Sequence, residues 1–103
     1  MFKYIKTSKG IFVVSFSENE ESFLLKNGKF ETRFCVVANL MIIKNGIPRY
    51  YNSEISVLNP EDTFSFKIGA KLALARLLEE EFEDKADREK FHPIFVTLSK
   101  MGE

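Results

Sequence analysis

The stretch LMIIKNGIPRYY, Leu40–Tyr51, decides the fold. An apolar run enters Asn45-Gly46, and a second extended run leaves it. A two-residue type I′ turn needs positive φ at both central positions, which Asn-Gly adopts at low cost. The same grammar stands at SFLLKNGKFETRF, Ser22–Phe34, around Asn27-Gly28. Two such turns between alternating or apolar runs predict antiparallel hairpins.

Working outward, IFVVSFS is rich in β-branched and aromatic residues, FKYIK alternates, and TSKG between them reads as a turn. The polar SENEES reads as a connection. The expectation is a meander of about five strands, near 2–7, 11–17, 22–26, 30–43 and 49–58. In the fourth, the even positions Phe30, Thr32, Phe34, Val36, Ala38, Leu40 and Ile42 form a core face. Its odd positions are polar at Glu31 and Arg33, then turn apolar from Cys35 to Ile43. That second apolar face is either covered by a helix or open to a partner. Pro48 lacks a ladder donor, so the last strand starts after it or runs along an edge.

The character changes at NPED. Asn59 suits a helix N-cap, Pro60 the first helical position, and Glu61 and Asp62 the positive end of the helix dipole. One helix from 60 to 91 would be ~48 Å long at about 1.5 Å per residue. A domain of ~100 residues has a radius of gyration of about 13 Å, so an element much beyond roughly 30 Å projects from the body. A break near Asp84 is therefore expected, with a second helix in DKADREKF. Pro93 ends helical structure by His92, and HPIFVTLSK adds a short strand or extended segment. The chain reads as one α+β domain, 1–103, with sheet in 1–58, helices in 59–92 and an extended 93–103.

On a wheel of 100° per residue, Phe64, Ile68, Leu72, Ala75 and Phe82 share one face, assigned to the sheet. Ser65, Gly69 and Ala73 form a stripe of small residues beside it. Gly69 costs roughly 1 kcal/mol in a helix interior. Either the helix approaches its own sheet or second helix closely there, or the stripe is a dimer seam or a ligand contact. The helix is apolar around most of its circumference, so a further helix, the C-terminal segment or another protomer should cover the rest.

Charge is balanced, with fifteen basic and fifteen acidic residues. The whole protein therefore has no net attraction to nucleic acid or to an anionic membrane. No run reaches the ~18 apolar residues of a membrane span. The start of the chain lacks the apolar core of a signal peptide, and the single cysteine, Cys35, forms no internal disulfide, so a cytoplasmic location is expected. Cys35 reads as a small buried hydrophobe. With one histidine, His92, no phosphate-binding loop and no metal-ligand spacing, a catalytic centre, a metal site and a cofactor are not expected.

Candidate contact residues fall in two groups. Glu79, Glu80, Glu81, Glu83 and Asp84 form an acidic run that reads either as a solvated helix with Glu81–Lys85 and Asp84–Arg88 pairs, or as a surface for a basic partner. Lys67 and Lys71, one turn apart, and Arg49-Tyr50-Tyr51 are candidates for an anion or nucleotide. Arg76 is assigned to Glu79 or Glu80.

The segment NPEDTFSFKIGAKLALARLL resembles a helix pattern of small accessory proteins of bacteriophages and prophages. The matching residues are Pro60, Asp62, Phe64, Ser65, Lys67, Gly69, Ala73 and Arg76. Ala70 stands where a basic residue often follows the glycine. The resemblance covers about twenty residues. It implies strands followed by this helix, a place in the bacterial host cytoplasm, and a non-enzymatic role in evading host defence. The expected form is an inhibitor that binds a host defence protein, of the anti-CRISPR type. An oligomer that sequesters a nucleotide immune signal and a nucleic-acid-binding accessory protein of phage replication are the alternatives.

Overall fold

The computed structural model describes residues 4–57 and 65–101. Four strands, β1 (Ile5–Thr7), β2 (Gly10–Leu24), β3 (Phe30–Lys44) and β4 (Ile47–Val57), form one antiparallel sheet in chain order. Three helices follow: α1 (Phe66–Glu81), α2 (Lys85–Glu89) and α3 (His92–Ser99). The α+β meander is as expected, but with four strands in place of five. The segments near 11–17 and 22–26 are one strand, and SENEES lies inside it, Glu18 paired with Val36 and Glu21 with Arg33. Ladder bonds join backbones and do not require apolar side chains, so a polar run continues a strand when its neighbour is long enough.

The two Asn-Gly turns differ. At Asn45-Gly46 both φ values are positive, 51° and 76°, as a type I′ turn requires. At Asn27-Gly28 only the glycine is positive. There a longer loop closes through Leu25 N–H to Lys29 O (2.7 Å), and the Asn27 side chain accepts from Lys29 N–H (3.0 Å). Pro48 lies within β4, the outer strand of the sheet, where a missing donor is tolerated. A bulge opposite Leu40 and Met41 inserts Tyr51. Tyr51 turns inward onto Phe12, ring centroids 5.1 Å apart, while Tyr50 stays exposed.

The residues expected to start the helix, Asn59 to Phe64, lie outside the described residues. The observed N-cap of α1 is Ser65, whose hydroxyl accepts from Ile68 N–H (3.2 Å). The helix breaks where expected: Phe82 is extended, and Asp84 caps α2 by accepting from Ala86 N–H (2.9 Å). Lys90 and Phe91 keep right-handed helical backbone, so α2 and α3 form one bent unit.

Two further expectations are overturned. The C-terminal segment is helix, not strand, to Ser99. Pro93 sits in the first turn, where its fixed φ and missing N–H fit, so it starts α3 instead of stopping a helix. Ile94 and Leu98, one turn apart, join the core and override the β-branched local preference. The sheet-facing side of α1 is also different. Ile68 is 60% exposed, and Leu72 and Ala75 are exposed as well. Phe82 is buried, but beyond the end of α1. The buried face is Ala70, Ala73, Leu74, Leu77 and Leu78. Its first part is small, Gly69, Ala70 and Ala73, because the helix runs close to β3 there. A Cβ added to Gly69 would stand 2.7 Å from Val36 Cγ2.

The core lies between α1, the α2–α3 unit and one sheet face. It contains Phe12, Val14, Val36, Ala38 and Leu40, with Ile42 and Phe16 at its margin. All are even-numbered, so the helices cover that face only. Phe82 is the hub, packing edge-on to Phe12 (5.2 Å) and tilted on Phe91 (5.2 Å). Asp87, only 3% exposed, fastens α2 to the β1–β2 turn. It accepts from Ser8 N–H (2.9 Å) and from the Ser8 hydroxyl, with Lys90 Nζ at 3.4 Å.

Candidate binding surfaces

Fifteen residues of strand reach about 50 Å at roughly 3.3 Å per residue. The molecule is accordingly elongated, 48 × 28 × 24 Å, with a radius of gyration of 15.2 Å. Helices cover β2 and β3 only near their β1 and β4 ends. The distal part, Glu18–Leu24 with Phe30–Phe34, forms an arm. Leu24 and Phe30 are cross-strand neighbours at its tip and are 66% and 72% exposed. The even face of β3 is thus core from Val36 to Ile42 and open from Phe30 to Phe34, contrary to a uniform core face. On the arm's other side, Arg33 binds Glu31 (2.8 Å) and stacks over Phe23 at 5.4 Å. At the arm's root Cys35 is buried as expected, its thiol donating to Asn19 O (3.4 Å). Burial first, then the nearby Glu21 carboxylate, pushes that thiol above its ordinary value.

The odd-numbered sheet face carries no helix among the described elements. Ile11 and Tyr50 are exposed there, with Val13, Val37, Met41 and Ile43 half-buried.

The acidic run is distributed over several local roles. Glu81 Oε2 accepts from Asn52 Nδ2 (2.7 Å). Glu80 meets Glu54 of β4. A hydrogen bond between the two carboxyls holds Glu80 above and Glu54 below the ordinary carboxylate value. Asp84 is the α2 cap, and Glu83 is exposed. The expected Glu81–Lys85 pair does not form because the helix breaks between its members. Asp84 and Arg88 share one turn of α2, but the Asp84 carboxylate caps Ala86 N–H and the Arg88 guanidinium turns to backbone carbonyls. Lys85 instead approaches Glu89 (3.8 Å). Arg88 donates to Phe82 O (2.6 Å) and Glu83 O (2.8 Å). Arg76 likewise donates to Ile55 O (3.0 Å) rather than pairing with Glu79 or Glu80.

The candidate nucleotide contacts are not gathered. Gly69, between Lys67 and Lys71, lies at Val36, whereas Arg49 pairs with Ile42. Those β3 positions are separated by ~20 Å along the strand. Tyr51 is covered by Lys9, whose ammonium lies 5.9 Å from its ring. Of the small stripe, Gly69 and Ala73 pack inward and Ser65 caps the helix.

One feature escaped the sequence. An open groove of about 690 Å³ between α1 and the α2–α3 unit is lined by Glu79, Lys85, Arg88, His92 and Phe95, among others. Phe95 joins its far wall because the segment after Pro93 is helical. Among the described residues, no three of His, Cys, Asp and Glu cluster as a metal site, and no helix is long and apolar enough to cross a membrane. Comparison with protein-family models, with curated proteins and with solved structures gave no match.

Proposed function

We propose that the protein is a non-enzymatic binding protein that acts by stoichiometric contact with another protein. The observation that carries this reading is the β2–β3 arm, which holds Leu24 and Phe30 in solvent beyond the helical layer. Exposed apolar side chains on a projecting hairpin suit a protein interface, where a few anchors contribute most of the binding energy. The phage-type helix pattern supplies the proposed partner class, a host defence protein, with inhibition of the anti-CRISPR type as its specific form. Ser65, Gly69 and Ala73 of that pattern serve the cap and the packing, so contact is assigned to the arm and not to the motif helix.

The test is affinity capture from a bacterial lysate that contains candidate defence complexes, followed by inhibition assays on the captured protein. Leu24→Ser with Phe30→Ser should abolish capture while the melting temperature stays near that of the parent. Undiminished capture by this variant removes the arm from the interface. Glu79→Lys, Glu80→Lys, Glu81→Lys and Glu83→Lys, combined, test the acidic run in the same assay.

A further inference from the structure

β1 covers β2 only from Gly10 to Phe12, and no described element pairs with the outer edge of β2 beyond it. The hydrogen-bond phase of that edge follows from Leu25, whose N–H donates to Lys29 O across the hairpin. In an antiparallel pair alternate residues bond to the neighbour and the others present N–H and C=O outward. Odd residues of β2 therefore bond to β3, and Glu18, Glu20, Ser22 and Leu24 direct their backbone groups to the edge. The side chains bordering it are Glu18, Glu20 and Glu21, all exposed, with Asn19 between them.

These acids decide what the edge accepts. Antiparallel self-pairing of β2 near Asn19 would set glutamates against or beside glutamates, which is unfavourable. A strand of opposite sign removes that repulsion and satisfies the same backbone groups.

We propose that the β2 edge over Glu18–Leu24 receives an extended, basic segment of a partner protein as an added strand. The face shared by Glu18, Glu20, Ser22 and Leu24 sets its pattern: basic, basic, small polar, apolar at alternate positions. The opposite face asks for a basic residue beside Glu21. Main-chain pairing supplies the attachment, and the alternating side chains supply the selectivity. This proposal rests on the reading of the arm as a protein-contact element and names the chemistry of its partner.

The probe is the peptide Val-Tyr-Thr-Lys-Lys-Thr-Lys, added to the full chain and followed by amide hydrogen exchange and NMR titration. The expected result is saturable binding with new amide protection at Glu18, Glu20 and Ser22. Exchanging the three lysines for glutamate, or placing proline at the third residue of the peptide, whose N–H faces the Ser22 backbone, should abolish it. The variant Glu18→Lys with Glu20→Lys and Glu21→Lys should weaken binding by about tenfold, the sum of three exposed ion pairs. Equal binding of the acidic peptide, or no protection at the even residues, overturns the proposal. In lysate capture, loss with Leu24→Ser and Phe30→Ser but none with the lysine variant leaves the protein-contact reading standing and overturns the added strand. No loss with either overturns both.

Discussion

The two ends of the β2–β3 hairpin are built from the same alternation and have opposite fates. At one end Phe12, Val14, Ala38 and Leu40 are fully buried beneath α1 and the α2–α3 unit. At the other, Leu24 and Phe30 stand in water on the same face of the same two strands. Alternation tells which residues share a face. It does not tell how far along the strand a covering layer extends. The boundary is set by where α1 begins, near Phe16 and Val36, with Phe66 edge-on to Phe16 at 6.0 Å.

The contrast can be broken at several points. Phe82→Ala removes the ring that joins Phe12 to Phe91, and should cost about 3–5 kcal/mol in urea denaturation. A loss below about 1 kcal/mol would mean that the covered end is not the stabilising one. Gly69→Ala adds a methyl group 2.7 Å from Val36 Cγ2. Val36 is β-branched and moves little, so overpacking should outweigh the helix-propensity gain and leave a net loss of about 1–2 kcal/mol. Adding Val36→Ala should recover part of the Gly69→Ala loss, which a backbone effect alone would not allow. Ser65→Ala removes the cap of α1 and should cost ~1 kcal/mol.

Asp87 sharpens the same contrast through pH. Ser8, through its hydroxyl and its N–H, holds the Asp87 carboxyl below its ordinary value, with Lys90 adding to the effect. A depressed carboxyl contributes stability above its unfolded value, and this is lost as pH falls through the folded value. Asp87→Ala should therefore melt below the parent at neutral pH and converge with it in strong acid. A constant gap across that range would assign the effect to packing. Smallest of all, Leu24→Ser with Phe30→Ser should change stability by less than about 1 kcal/mol, since only a cross-strand surface pair is lost. A larger loss, read from the denaturation midpoint, would place the arm in the cooperative core.

Much of this was readable in the chain. Asn45-Gly46 fixed one hairpin, Pro48 pointed to an edge, and the length limit on a single helix located the break before Asp84. The length argument applied to the strands as well, whose ~50 Å reach is what makes them project. Three things were hidden. SENEES has no apolar pattern, and its strand state depends on pairing with β3. Pro93 is equally good as a helix stop and as a first-turn residue, and the seat for Ile94 and Leu98 decides between them. The inner face of α1 is small at its start, with Gly69, Ala70 and Ala73, and becomes leucine only from Leu74, so the large Ile68 and Leu72 marked the wrong side of the wheel. The candidate contacts followed suit: Lys67 with Lys71, and Arg49-Tyr50-Tyr51, were candidates for the same chemistry, while strand register separates the two groups.

The end of α1 has a consequence for how the chain holds together. Glu79, Glu80 and Glu81 crowd the negative pole of the helix, and α1 has no basic residue in its last turn. The missing cation comes from the other half of the sequence, as Lys9 Nζ donates to Glu81 O at 2.6 Å. The same ammonium lies 5.5 Å from the Phe82 ring. Helix termination is thus a long-range event, completed by a residue of the first hairpin. A peptide of residues 65–101 alone would lack both that charge and the sheet beneath its buried face. The strands and the helices of this protein therefore complete one another: the sheet layer supplies both the cation at the end of α1 and the surface on which its buried face packs.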